Sequence, residues 1–338
     1  MIIEEPFGSV GGRPTRSFVV DGGEGVRIRL TDYGARLVEL WAPDRDGAQA
    51  DIVIGFDASE AYAAAPGYLG ATVGRYGNRI AGGRLRIGDD EYQLDLNEGP
   101  NHLHGGSAGW DRRVWDTEYD GARVTFRTSS PSGEMGYPGA CDVRTTYDLD
   151  GTDLRITMEV VVSDTTVVNM VHHSYVNLAG HASGDVLDQH LRIPADFYTP
   201  VDDDLLPSGE ILAVDGSPFD FREPRPIGSH PSRAGDYDHN WCLRASGNGL
   251  HEAMDAYDPA SGRRLRLYTT EPGIQLYTGA HLRTPAIGKR GARYDAHAGF
   301  TLETQKFPGS PQFAHFPSAT VEAGQAYRHE MLLRLSTA

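Results

Sequence analysis

Cysteine is nearly absent. Among 338 residues only Cys141 and Cys242 occur, far apart and without a CxxC neighbour, which indicates neither a zinc knuckle nor a disulfide framework and fits a reducing compartment. No apolar run approaches membrane-spanning length. The N-terminal "MIIEEPFGSVGGRP" carries two acids where a secretory leader would carry a basic segment and then an apolar one, so a soluble, cytoplasmic chain is expected. Basic charge is also short: 31 Lys and Arg against 47 Asp and Glu leave a formal charge of −16. Such a field repels phosphate backbones and anionic membranes, so neither nucleic acid nor membrane is an expected partner. The same balance disfavours a phosphorylated substrate unless a local arginine pocket overrides it. Long helical periodicity is scarce too, with "SEAYAAA" near Ala61 the one short helix indicated. No fixed-period repeat is visible, which argues against a propeller or a solenoid.

What the chain has in quantity is turns and alternating strands. Its 41 glycines and 20 prolines are spread along its whole length, so turns recur throughout and no segment reads as a linker. "LRITMEVVV" sets Leu154, Ile156, Met158, Val160 and Val162 on one face against Arg155, Thr157 and Glu159 on the other, the period of a half-buried strand. "GVRIRL", "RVTFRT" and "RLRLYTT" repeat that period, and "AYRHEMLLRLS" closes the chain with Tyr327, Met331, Leu333 and Leu335 on one side. Turn clusters such as "APDRDGAQAD", "SSPSGEMGYPG" and "DDDLLPSGE" separate them. The expectation is an all-β protein, one large antiparallel β-sandwich over residues 1–338.

Polar residues whose types folding alone does not explain gather in a few stretches. In "VVNMVHHSYVNL", strand alternation places Asn169, His173, Tyr175 and Asn177 on one face and Met170, His172, Ser174 and Val176 on the other. The two adjacent imidazoles therefore cannot share a task, and His173, on the polar and aromatic face, is the functional candidate. The competing reading is a strand histidine that is merely hydrogen-bonded. "GRYGNRIAGGRL" sets Asn78 and Arg79 among glycines that allow close backbone approach; a planar donor fork beside an amide suits vicinal hydroxyls or a carboxylate. In "NHLHGG", His102 and His104 are two apart, a spacing metal sites use on strands, but the downstream glutamate and histidine such a site would want are missing, and no metal is expected. "YDHNW" (Asp238, His239, Asn240) and "GIQLYTG" (Gln275, Tyr277) combine aromatics with groups that grip hydroxyls in pairs. "FTLETQKFPG" places Glu303 in an apolar strand, where a carboxylate is costly unless paired or used, for instance as a general base with an acid partner.

In this order, "GRYGNRI", "NHLHGG", "HHSYVNL", "DHNW", "GIQLYTG" and "LETQ…FP" resemble the aldose 1-epimerase family, the galactose mutarotases, and the collinear set covers essentially the whole chain. The resemblance implies a large antiparallel β-sandwich that interconverts the α and β anomers of a free hexose without a cofactor. It implies Glu303 as base on the anomeric hydroxyl, His173 as acid on the ring oxygen and His104 assisting there. Arg79, Asp238 and Gln275, with Asn78 beside them, would grip the sugar. Three positions depart from the family pattern: Val176 replaces an aromatic on the face away from His173, and Lys306 and Gly309 replace an asparagine and an aspartate in a loop expected to border the site. A hexose-6-phosphate mutarotase would need converging cations, for which Lys289, Arg290 and Arg293 are candidates by composition. A non-catalytic sugar-binding module would not need both Glu303 and His173. A metal-dependent isomerase is the remaining alternative.

Overall fold

The computed structural model describes residues 2–65, 67–230, 235–244, 249–284 and 286–338. Three large sheets carry the architecture, and every pairing between their strands is antiparallel. The first is a five-stranded meander in chain order, from Ile2–Val10 to Gln49–Asp51. The second has nine strands, ordered Asp116–Asp120, Arg123–Ser130, Cys141–Asp150, Asp153–Val162, Ala326–Thr337, Arg263–Thr269, His251–Tyr257, His190–Arg192 and Arg225–Pro226. The last long strand of the chain thus lies mid-sheet, zipped between Asp153–Val162 and Arg263–Thr269. The third has six: Tyr175–Val176, Phe300–Gln305, Gly273–Tyr277, Asp238–Cys242, Phe197–Thr199 and Leu212–Ala213.

Alternation in the sequence decides which faces meet. Leu154, Ile156, Met158, Val160 and Val162 are all buried, as are Val26, Ile28 and Leu30, and all belong to one apolar core shared by the three sheets. Tyr327, Met331, Leu333 and Leu335 join it from the closing strand. The helix expected at "SEAYAAA" runs Ser59–Ala64 and buries Tyr62.

The six-stranded sheet positions the chemistry. On one face, His239, Trp241, Ile274, Leu276, Phe300 and Leu302 point into the body of the molecule; Trp241, Ile274, Leu276, Phe300 and Leu302 are part of the core. Antiparallel register lines up the opposite face in rows: Asp238 beside Tyr277 beside Thr301, then Asn240 beside Gln275 beside Glu303. Period-two alternation on three adjacent strands therefore gathers polar side chains onto a single surface.

The segment around the two histidines is not one continuous strand. Val171–His173 pairs with Ala71–Val73, the strand is interrupted at Ser174, and Tyr175–Val176 pairs with Phe300–Thr301 of the six-stranded sheet. Asn169 and Asn177, expected on the same face as His173, are spent on backbone: Asn169 Nδ2 donates to Gly77 O, and Asn177 Nδ2 donates to Gly184 O and Ala298 O.

Candidate active site

A cavity of about 260 Å³ opens on the polar face of the six-stranded sheet. His173, Glu303, His104, Asp238, Asn78 and Arg79 all line it, together with Tyr68, Tyr175 and Tyr277. Six of the seven site residues expected from the sequence thus converge, from stretches spread between residues 78 and 303. Gln275 does not line the cavity. It is buried one layer behind, and its Nε2 donates to Asp238 Oδ1 at 2.6 Å.

Glu303 and His173 form the centre. His173 Nε2 lies 3.4 Å from Glu303 Oε1, with both side chains buried. Thr301, two residues back on the same strand face, donates its hydroxyl to Glu303 Oε1 at 3.1 Å. Among the described residues, Glu303 Oε2 and His173 Nδ1 have no hydrogen-bond partner. Burial, reinforced by the neighbouring Asp238 charge, raises the Glu303 carboxyl to about 8. Burial also lowers the His173 imidazole to about 3. Both groups are thereby pushed toward their neutral forms. His172, by contrast, faces the interior, with Nε2 sharing a hydrogen bond with Ser174 Oγ at 2.7 Å and Nδ1 meeting Tyr147 Oη at 3.3 Å.

His104 reaches the cavity by an unusual backbone. The strand that begins at His102 ends at Leu103, and His104 adopts φ 51, so the two histidines do not share a strand face as their spacing suggested. His102 turns away: its Nδ1 meets Asp95 O at 2.7 Å, and its Nε2 hydrogen-bonds Tyr137 Oη. Gly105 and Gly106 follow with φ 86 and 94, conformations that cost an L side chain but not glycine. The Asn78 backbone N–H, itself in a left-handed residue (φ 68), donates to His104 Nδ1 at 3.1 Å. Burial, and next the neighbouring His173, hold His104 well below its usual pKa, so the ring is neutral. With Nδ1 accepting, its single proton resides on Nε2. His104 thus turns a hydrogen-bond donor, not a lone pair, to the site.

That tautomer bears on the metal alternative. His104, His173 and Glu303 present ligand atoms within 4.8 Å of one another, a donor set that by composition could hold a divalent cation. His104 would first have to give up its Nε2 proton or its bond from Asn78, so the residues do not fit a resident metal.

Arg79 is held by a fork-to-carboxylate pair: Nε donates to Glu98 Oε2 at 2.7 Å and Nη2 to Glu98 Oε1 at 2.6 Å. This fixes the guanidinium plane at the cavity wall. Asn78 Oδ1 accepts the Arg79 backbone N–H at 2.8 Å. Asp238 is raised by burial, an effect the Arg79 charge opposes.

Tyr68 was not anticipated. Its ring centroid lies 4.6 Å from His104 and 5.7 Å from His173, walling the acid–base pair. The only signal was an aromatic in a "PGYLG" turn, which reads as an ordinary loop. Leu205, His281, Leu282 and Arg283 complete the rim from other loops.

The cations considered for a phosphate lie elsewhere. Lys289 is fully buried, with Nζ donating to Val38 O at 2.7 Å and Val53 O at 2.8 Å and paired with Asp51. Its three protons are spent on folding. Arg290 stacks over Trp41 with its guanidinium 4.6 Å from the ring centroid, and Arg293 is exposed; neither lines the cavity. The departures behave similarly. Val176 is buried in the core, Lys306 Nζ lies 2.9 Å from Glu271 Oε2, and Gly309 sits at φ 69 under Pro207 and Phe313, so none of them lines the cavity.

A family model described as aldose 1-epimerase matches residues 16–334. Galactose mutarotase from Homo sapiens is 40% identical over 315 residues, covering 93% of this chain and 92% of its own. Aldose 1-epimerase from Escherichia coli is 34% identical over 326 residues, covering 94% and 93%. Among solved structures, an aldose epimerase homologue from C. elegans superposes with a TM-score of 0.89 at 28% identity, covering 95% of this chain and 98% of that one. A galactose 1-epimerase from Lactobacillus acidophilus gives 0.86 at 26%, covering 100% and 99%. The fold and these relatives together define an isomerase on the galactose mutarotase sandwich. Within that class, the chain belongs to the aldose 1-epimerase family.

Proposed function

We infer that the protein interconverts the α and β anomers of a free aldose such as galactose or glucose by acid–base ring opening and closure. The observation that carries this is the 3.4 Å approach of His173 Nε2 to Glu303 Oε1 on one cavity wall. The hydroxyl and ring oxygens of a hemiacetal share one carbon, so the base for one and the acid for the other must sit side by side. Glu303 removes the anomeric hydroxyl proton while His173 donates to the ring oxygen; the bond from that oxygen to the anomeric carbon breaks, leaving an aldehyde and an alcohol. Rotation about the adjacent carbon–carbon bond presents the other face of the carbonyl. Closure returns both protons along the same path. His104 Nε2–H supports the ring oxygen with a neutral donor, and Arg79, Asn78 and Asp238 hold the remaining hydroxyls. Gln275 contributes from behind Asp238.

Tyrosine rings on the walls suit the apolar face of a pyranose. Arg79 is paired with Glu98, and Arg283 at the rim is the one other arginine or lysine among the cavity-lining residues, which favours an unphosphorylated sugar. Among the described residues no helix is long and apolar enough to cross a membrane, and both cysteines are free thiols, which supports a cytoplasmic location.

Polarimetry of freshly dissolved α-D-galactose and α-D-glucose tests the reading. Rotation should relax faster with protein than without, whereas the corresponding 6-phosphates should gain little. Binding of sugar without faster relaxation would instead mark a non-catalytic sugar-binding module.

A further inference from the structure

Behind Asp238 the sheet carries a cluster of amides that the proton transfers do not use. Gln275 lies between Asn240 and Glu303 in one row, and Gly273 lies between Cys242 and Gln305 in the next. A Cβ on Gly273 would fall 2.5 Å from Asn240 Oδ1; the space that glycine leaves is where Asn240 and Gln305 meet. Gln305 Nε2 donates to Gln275 Oε1 at 3.3 Å and to Asn240 Oδ1 at 3.4 Å. Gln275 Nε2 donates onward to Asp238 Oδ1 at 2.6 Å, and Asn240 Nδ2 donates to Thr199 Oγ1 at 3.4 Å.

A primary amide has a donor end and an acceptor end of nearly the same shape, and its neighbours decide which end faces which partner. Asn240, Gln275 and Gln305 are all buried, so none can turn to bulk water for a substitute. Because Gln305 supplies a proton to the Gln275 carbonyl, the Gln275 amino group is directed at Asp238. The flipped arrangement would bring that carbonyl against the Asp238 carboxylate, two acceptors with no proton between them.

We propose that Gln305 is a positioning residue for the reaction: acting through Gln275, it holds Asp238 with one oxygen satisfied from behind and the other presented to the cavity as an acceptor for a sugar hydroxyl. This rests on the aldose reading of the cavity. It gives that wall a fixed polarity, so a substrate must offer a hydroxyl proton there, and a deoxy or O-methyl sugar at that position loses the contact.

Three substitutions, two of them also combined, test it by anomerisation kinetics. Gln305→Met keeps length and removes the donor; KM should rise about tenfold, with kcat changing far less. In an Asp238→Ala background the same substitution should add nothing further, since its route to the substrate is gone. Gln305→Glu supplies the rescue: its carboxyl donates when protonated and cannot when ionised, so KM should be near the parent value at acidic pH and climb as pH rises, a dependence the methionine variant lacks. Equal KM effects of Gln305→Met in both backgrounds, or a Gln305→Glu profile no different from that of Gln305→Met, would overturn the proposal. Absence of turnover by the unsubstituted protein would overturn the aldose reading and this proposal with it, whereas turnover with additive effects overturns this proposal alone.

Discussion

Burial penalises the charged forms of Glu303 and His173, yet the proposed reaction needs a carboxylate and an imidazolium side by side. The resolution is that the two groups titrate as a pair. With the carboxyl raised to about 8 and the imidazole lowered to about 3, the pair keeps one proton between those limits. Its two arrangements, carboxylic acid with imidazole or carboxylate with imidazolium, have the same net charge and differ by one transfer across 3.4 Å. Below about 3 a second proton removes the base, and above about 8 loss of the single proton removes the acid. After subtraction of the buffer rate, kcat/KM should therefore be level through neutrality and fall as pH passes about 8. A rate that keeps climbing beyond that point would mean that Glu303 works without a proton on its partner. At this scale the sequence was informative wherever period-two alternation applied. It separated His173 from His172, and placed Glu303 with Thr301 on one face. It could not show depth: Gln275 shares the face of Glu303 but stands behind Asp238, and nothing in "GIQLYTG" distinguishes a wall from the layer beneath it.

Elements bring these residues together by leaving regular geometry at chosen points. Ser174 ends one strand pairing and lets Tyr175 begin another, so His173 projects beside Glu303 from a different sheet. The break depends on partners about 100 residues away on the Ala71–Val73 strand and about 125 away at Thr301, and local alternation cannot encode it. The turn after Leu103 is comparable. Spacing suggested two histidines on one strand face, whereas the left-handed backbone at His104, Gly105 and Gly106 sends only the second into the site. A Cβ on Gly105 would lie 2.0 Å from Gly74 O, a backbone contact with no flexible end to yield. Gly105→Ala should cost roughly 1–3 kcal/mol in urea unfolding from the strained backbone. It should also lower kcat/KM about 100-fold through displacement of His104. Parent-like kinetics would show that the position of His104 matters little.

Over the whole molecule, the β-sandwich was readable because nearly every long strand announces its buried face. The order of nine strands in one sheet was not, since it follows from which apolar faces find each other. Nor was the role of Lys289, which composition offered as a candidate phosphate-binding cation and the structure buries against Asp51. Lys289→Met leaves that carboxylate buried without its counter-charge and should destabilise the fold by about 3–5 kcal/mol; a loss under about 1 kcal/mol in urea unfolding would contradict that assignment. The sandwich exists, in this account, to hold one carboxylate and one imidazole against a neutral sugar. The most direct measurement is the rate of exchange between α- and β-galactose, read by magnetisation-transfer NMR at equilibrium, for the parent and for Glu303→Gln, an isosteric change that keeps the cavity filled. The parent should exchange the anomers well above the buffer rate and Glu303→Gln should not, a loss of about 10²–10⁴-fold. Near-parental exchange by Glu303→Gln, with sugar still bound, would contradict the account at its centre.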